Sequence, residues 1–234
     1  WRALADSAQP SGHAEALAVR WQAPQGGQAE RWSAGGRLRG LALVAAPAPA
    51  AYTDAAGDPV YPLARPGVRG VDLDLQMDQS GGRAQLQVRD GALGFPGVFE
   101  EPEIPLERLQ AALRWTVTND RIELDVSELR FANADAEGQG RVRWHTADPA
   151  RSPAQDRFPG VIDLDLQLAR ADGARVHRYL PQAIPADVRR YLRAAVPQAQ
   201  ARDARFVVRG DLWDFPYAEP GRGEFEVRAK LRDV

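Results

Sequence analysis

The sequence lacks several features that would define common functional classes. It contains no cysteine, which excludes disulfide bonds, thiol nucleophiles and thiolate metal ligands. No apolar run approaches the roughly 20 residues of a membrane-spanning helix. Lys and Arg number 30 against 32 Asp and Glu, and no block of like charge stands out, so we expect no nucleic acid as a partner.

The motifs of common catalytic and metal sites are also missing. His13, His145 and His177 lie in unrelated settings without metal-ligand spacing, so no metal site is expected. No Gly-x-Ser-x-Gly elbow and no phosphate-binding glycine loop occurs before a helix. We therefore predict that the protein is not an enzyme, and that it has no catalytic residues and no cofactor.

What the sequence does contain is period-two alternation, in which apolar residues alternate with charged or amide-bearing ones. This pattern is typical of a strand with one solvated face, and it recurs about ten times. The segment from Val71 to Met77 alternates in this way, and a turn through Asp78–Gly82 joins it to the segment from Ala84 to Val88. The sequence therefore predicts a mainly β protein built from antiparallel hairpins.

The alternation also predicts which side chains share a face. Because register places the apolar sides of neighbouring strands together, we expect one continuous apolar surface. The candidate residues of that surface are Val71, Leu73, Leu75, Leu86, Leu113, Trp115, Ile122, Leu124, Leu164 and Leu166.

One segment, about 174–197, departs from strand periodicity. Apolar residues between Val176 and Leu180 have helical spacing, and Pro185 is expected to open a second helix as its first residue. Val188, Tyr191 and Leu192 then fall on one face. We predict a short amphipathic insertion that packs at an end of the sheet, with docking on a membrane surface as the alternative.

Two further patterns have competing interpretations. The aspartate pairs Asp72 with Asp74 and Asp163 with Asp165 lie on one strand face each, where solvated strand polarity is a stronger interpretation than acid–base chemistry. The tryptophans Trp21, Trp32, Trp115, Trp144 and Trp213 lie in or beside strands, and core packing is favoured over a sugar-stacking platform.

A weak internal repeat links two strands. Asp72–Gln76 and Asp163–Gln167 share the same five residues, and each segment follows a Pro-Gly-Val opening. Duplication and chance similarity of half-solvated strands both explain this match. The loops at 45–66 and 146–159 do not read as interdomain linkers, so residues 1–234 are predicted to form a single β segment. Because it begins at Trp1 without a methionine or leader, we expect it to be a piece of a longer protein.

About ten one-sided strands need a partner for their apolar faces, and one amphipathic segment is too little to cover them. Two architectures satisfy this requirement: a β-sandwich of two facing sheets, or one long curved sheet around its own apolar interior. The alternation alone does not choose between them.

Several stretches resemble the YhdP-type members of the AsmA-like envelope proteins of Gram-negative bacteria. The most specific are the segment Val176–Pro181 with the helix around Tyr191, and the segment from Val208 to Tyr217, which contains Gly-Asp-Leu-Trp-Asp-Phe-Pro-Tyr. Weaker matches include Arg31-Trp32 and the turn from Asn133 to Gly138. Together these stretches span most of residues 30 to 230.

The resemblance implies a long curved antiparallel sheet of the repeating β-groove type. It implies a periplasmic protein anchored in the inner membrane through parts of the chain outside this sequence, with a role in outer membrane biogenesis. The implied ligand is phospholipid or another acyl-chain compound, carried along the apolar face between the inner and outer membranes. The alternative function is a β-sandwich module that binds protein or carbohydrate.

Overall fold

The computed structural model describes residues 9–24, 30–53, 59–60, 64–118, 121–152, 156–195 and 200–232. Its twelve strands are β1 (Ser11–Gln22), β2 (Arg31–Leu43), β3 (Tyr52–Thr53), β4 (Pro59–Val60), β5 (Gly67–Asp78), β6 (Gly81–Gly94), β7 (Glu103–Val117), β8 (Ile122–Ala132), β9 (Ala136–His145), β10 (Val161–Asp172), β11 (Gln200–Asp211) and β12 (Gly223–Arg232).

Ten of these strands form one antiparallel sheet in the order β1-β2-β5-β6-β7-β8-β9-β10-β11-β12. The short strands β3 and β4 pair only with each other, inside the 45–66 segment that the sequence suggested was a loop. Within the described residues, β1 and β12 are open edges and no second sheet faces the first. The open curved sheet predicted from the resemblance is therefore confirmed, and the β-sandwich alternative is wrong.

Turns of two to four residues connect β5 to β6, β7 to β8 and β8 to β9, and local hydrogen bonds explain the first of them. Between β5 and β6, the Asp78 carboxylate accepts hydrogen bonds from the Ser80 amide at 2.7 Å and the Ser80 hydroxyl at 2.6 Å. Gly81 follows with φ of 144°, a conformation that favours glycine. This hairpin and the one between β7 and β8 lie where the alternation predicted them.

A series of left-handed residues interrupts the strands and bends the sheet. Their φ angles lie between 48° and 72°, and the residues are Ala16, Gly40, Gly70, Asp90, Glu128 and Asp203. Register shifts accompany most of them, for example between Arg69 and Val71 in β5 and between Val126 and Leu129 in β8. Because a bulge bends its strand and increases local twist, these positions curve the whole sheet.

The curvature buries apolar side chains although none of the described elements forms a layer over them. Val71, Val88 and Leu109 are 2%, 1% and 8% exposed, although the strands in extensive contact are only those adjacent in the sheet. Leu41 of β2 and Phe131 of β8 pack against the same cluster, although the three strands β5, β6 and β7 lie between β2 and β8. The apolar face therefore lies inside the bend, where it covers itself.

The predicted insertion forms two helices. A 3₁₀ helix spans Gly173–Tyr179, and an α-helix, α1, spans Ala186–Ala195. The Asp172 carboxylate caps the first by accepting from the Ala174 amide at 2.9 Å. The Pro185 carbonyl accepts from the Arg189 amide at 3.1 Å, so Pro185 precedes the first helical residue instead of being it.

The two segments of the internal repeat lie on β5 and β10 of the sheet. Strands β5 and β10 are five positions apart in the antiparallel sheet, so they run in opposite directions. Their Pro-Gly-Val openings, which come at the start of each strand, consequently lie at opposite margins of the sheet. A repeat unit of five strands would also place its copies in opposite directions, so this arrangement fits duplication as well as chance similarity.

Candidate functional site

The candidate site is the apolar face of the sheet, which we call the apolar trough. Register places all ten predicted residues on this one face. One cross-strand row joins Leu75, Ala84, Leu113, Val126, Val142, Leu164, Val208 and Phe225, and the row beside it joins Met77, Gly82, Trp115, Leu124, Trp144 and Ile162.

The trough is more extensive than the ten predicted residues. The list of candidates omitted further residues on this face. Val88, Leu109 and Leu168 follow the alternation, and the others are Leu129, Phe131, Phe206, Val208 and Phe225. In β8 the bulge at Glu128 shifts the phase, so that Val126 is followed by Leu129 on the same face. In β11 the three consecutive apolar residues Phe206, Val207 and Val208 obscure the period-two alternation. Phe131 and Phe206 could have been found only by allowing for such interruptions.

Glycines give large trough side chains room to lie across neighbouring strands. A Cβ atom on Gly82 would stand 2.4 Å from Cζ2 of Trp115, and one on Gly140 would stand 2.6 Å from Cδ2 of Leu166. Real Cβ atoms do not approach so closely. The Trp115 and Leu166 side chains therefore occupy space that only glycine leaves open.

Most trough residues remain accessible to a ligand. Leu73, Leu75, Leu86, Leu113, Leu124, Leu164 and Leu166 are all half-buried. Ile122, at the margin, is 37% exposed. A surface of this kind, in contact with water when empty, gains free energy when apolar chains cover it.

The opposite face is polar, and several of its charges form cross-strand ion pairs. Asp163 accepts from Arg209 at 3.0 Å and Asp165 accepts from Arg205 at 2.6 Å, while Asp74 lies 2.9 Å from Arg39. The hydrogen bond from Arg205 lowers the pKa of Asp165. Asp74, Asp163 and Asp165 thus belong to cross-strand ion pairs on the solvated face, as the structural interpretation of the sequence predicted. Asp72 instead accepts a hydrogen bond from the Gly40 amide at 2.9 Å.

Two cavities of about 850 and 670 Å³ are lined mainly by residues of this polar face. Both contain one cross-strand row, Gln87, Gln110, Arg130, Gln139 and Gln167. Among the described residues, the four glutamine side chains of this row make no hydrogen bond to protein groups. The polar face thus offers solvent-exposed amides without protein partners, whereas the trough offers apolar surface that no other described element encloses.

The strand ends form two margins along the trough, and they differ in chemistry. One margin contains the turns after β1, β5, β7, β9 and β11, and all five described tryptophans lie within a few residues of it. We call this the tryptophan rim: Trp21, Trp32, Trp115, Trp144 and Trp213.

The opposite margin is the charged rim, which contains the turns after β6, β8 and β10. Here Arg178 of the 3₁₀ helix lies 2.5 Å from Asp135 and 2.7 Å from Glu101. Arg189 of α1 pairs with Glu100. The insertion therefore packs at the strand ends, although Val188 and Tyr191 of α1 stay 42% and 70% exposed.

Tyr179 completes the network at the charged rim. Its hydroxyl donates to Asp135 Oδ2 at 2.9 Å and accepts from Asn133 Nδ2 at 2.9 Å. Burial raises the pKa of Tyr179 to about 12. Asn133 also accepts from the amides of Asp135 and Ala136, so one side chain ties the β8–β9 turn to the insertion.

No His, Asp and Glu cluster suited to a metal ion occurs among the described residues. In the same part of the chain, no helix has the length and apolarity needed to cross a bilayer.

A single open sheet with a continuous apolar trough and a helical insertion on one rim defines the chain as a β-groove protein. The family model described as YhdP protein matches residues 1–234, and the chain belongs to the YhdP family. This membership associates it with the cell envelope and with lipid transport. No curated protein and no solved structure matches the chain.

Proposed function

We propose that this chain is a segment of a periplasmic lipid-transfer bridge, in which the apolar trough carries phospholipid acyl chains between the inner and outer membranes. The observation that carries the proposal is the continuity of the trough over ten strands with no covering layer in the described residues. The proposal also includes contact with membranes through parts of a longer protein.

The dimensions of the trough suit acyl chains. Nine strand spacings of about 4.8 Å give a length of about 43 Å along the sheet. An acyl chain spans about half of the 30 Å hydrocarbon core of a bilayer, or about 15 Å. Two or three chains therefore fit in line, as a conduit requires.

The energetics favour both binding and movement. Burial of each methylene is worth about 0.8 kcal/mol, so a 16-carbon chain fully covered would gain on the order of 10 kcal/mol. Hydrophobic attraction is nondirectional, and the trough offers the chain no hydrogen bond that must break as it slides. A phospholipid headgroup stays in water throughout because the trough is open.

Native mass spectrometry of the chain purified from bacteria tests the proposal. Wild type is expected to carry phospholipid, and Leu166→Asp or Leu124→Asp is expected to lose it while still melting cooperatively. An open trough lets the new carboxylate reach water, whereas a closed core would leave it buried at a cost of several kcal/mol.

The matched control is Gln167→Asp, which adds the same charge one residue away on the polar face. It should retain the lipid load of wild type. Equal lipid loads in Leu166→Asp and wild type would contradict the proposal, as would a wild-type chain that never carries lipid.

A second candidate function is carbohydrate binding on the polar face, favoured by the row of solvent-exposed amides Gln87, Gln110, Gln139 and Gln167. Planar amides suit sugar hydroxyls, but no tryptophan lines these two cavities. Glycan binding that is lost in Gln110→Ala and retained in Leu166→Asp would support this candidate over the first.

A further inference from the structure

We propose that the tryptophan rim fixes the level of the polar–apolar boundary of a bound diacyl lipid, with the indole N–H groups of Trp32 and Trp115 donating hydrogen bonds to its ester or phosphate oxygens. The inference rests on the proposed function and specifies how the lipid is oriented in the trough.

The first observation is the placement of the aromatic residues. Trp21 lies one residue before the end of β1, Trp32 one residue after the start of β2, and Trp115 and Trp144 near the ends of β7 and β9. Antiparallel order brings these four positions to the same margin. The charged rim carries no described tryptophan, and its Arg178 pairs with both Glu101 and Asp135.

The second observation is that the rings face the trough. Trp115 pairs with Leu124 and Gly82 in one row, and Trp144 pairs with Leu124 and Ile162. Trp115 and Trp32 are both half-buried. Their apolar rings therefore extend the acyl-binding surface up to the margin, where the trough meets water.

The third observation is that some of the indole N–H groups at this rim have a protein acceptor and others do not. Trp144 Nε1 donates to the Pro159 carbonyl at 2.9 Å, and Trp21 Nε1 donates to Glu30 at 2.5 Å. Within the described residues, the indole N–H groups of Trp32 and Trp115 have no protein acceptor. Two donors thus remain available at the margin.

An amphiphile matches this combination. Indole rings prefer a position where one side is apolar and the other wet, as at the carbonyl level of a bilayer. A diacyl lipid with its chains on the trough would present ester and phosphate oxygens at that level. Sugar stacking needs a free ring face, whereas Trp144 stacks on Phe158 at 6.1 Å and Trp115 lies over Gly82.

Tryptophan fluorescence quenching tests the orientation. The chain is loaded with phosphatidylcholine that carries bromine atoms either near the carboxyl end or near the methyl end of its acyl chains. We expect bromine near the carboxyl end to quench tryptophan fluorescence more strongly than bromine near the methyl end. The difference in quenching between the two lipids should be smaller in Trp115→Phe, because the fluorescence of Trp115 contributes to it.

The rate of lipid release provides a second readout. Two lost hydrogen bonds of about 0.7 kcal/mol each correspond to roughly tenfold faster transfer from the Trp32→Phe, Trp115→Phe double variant to acceptor vesicles of phosphatidylcholine. The control is Tyr191→Phe, an aromatic residue of α1 at the opposite margin that is 70% exposed and lies outside the trough, and its release rate should equal that of wild type.

The outcomes separate the two proposals. Lipid retained in native mass spectrometry, with equal quenching by both brominated lipids and an unchanged release rate in the double variant, would overturn the rim inference and leave the conduit standing. A chain that carries no lipid and shows no quenching would overturn both. Stronger quenching by bromine near the methyl end would reverse the orientation and reject the inference.

Discussion

Arg178 Nη1 of the 3₁₀ helix lies 2.5 Å from Asp135 Oδ2 in the β8–β9 turn, and their side chains are 19% and 10% exposed. This pair holds the helical insertion to the charged rim. Two positions 43 residues apart in the chain thereby fix where the insertion sits.

Arg178→Ala should lower the free energy of unfolding by about 2–3 kcal/mol, because it leaves the Asp135 carboxylate partly buried without its cation. Urea denaturation measures the change. Arg151→Ala is the control, since the Arg151–Asp148 pair spans 3.6 Å with an arginine side chain 88% exposed, and it should cost less than about 0.5 kcal/mol. Equal losses in the two variants would contradict a structural role for the Arg178 pair.

Gly140→Ala should lower the free energy of unfolding by about 1–3 kcal/mol, because the new Cβ would meet the Asp165 carbonyl oxygen at 2.3 Å. Gly35→Ala is the control, since its Cβ would find its nearest atom at an ordinary 3.4 Å. Thermal melting of both variants measures the difference. If Gly140→Ala melted at or above the temperature of Gly35→Ala, the close packing of Leu166 over β9 would be wrong.

Glu128→Gly should leave the free energy of unfolding unchanged or raise it by up to about 1 kcal/mol. The reason is that Glu128 has φ of 52°, a left-handed conformation that costs a non-glycine residue about 1–2 kcal/mol. Glu107→Gly, on the neighbouring strand with ordinary φ, should instead lower it by about 0.5–1 kcal/mol. Urea denaturation of the two variants gives the sign of each change. Losses of the same size would show that Glu128 is not the bend in β8.

Alkaline titration should find two tyrosines protonated well above the ordinary pKa near 10. Burial raises the pKa of Tyr179 and of Tyr217 to about 12. The pKa of each tyrosine is higher in the folded chain than in the unfolded chain. The contribution of the two protonated hydroxyls to the free energy of unfolding is therefore complete below about pH 10 and is lost as the pH rises through about 12. Absorbance of tyrosinate measures this, and Tyr179→Phe should remove one late-titrating group. Ionisation of every tyrosine near pH 10 in the folded chain would contradict the burial of these hydroxyls.

The sequence determined the elements of this fold because period-two alternation is a local signal. Each strand carries its own apolar face, and a turn such as Asp78–Gly81 is encoded by the residues that form it. Pairing by register then places Leu73, Leu113 and Leu164 on one surface. The helical insertion was predictable for the same reason, since the spacing of Val188, Tyr191 and Leu192 lies within one element.

The tertiary structure decided whether the apolar faces close against a second sheet or curve into a trough. That choice depends on φ at single positions such as Asp90, Glu128 and Asp203, and no alternation pattern specifies a bulge. The bulges also shift the phase of the pattern, which is why Leu129 and Phe131 were missed.

The placement of the rims was likewise beyond the sequence alone. Trp21 and Trp144 are far apart in the chain, and only the direction of each strand in the sheet brings them to one margin. Strand order also placed Asp135 opposite Arg178. The sequence by itself determined that this protein has an apolar face, whereas long-range pairing decided the shape of that face and the chemistry of its two margins.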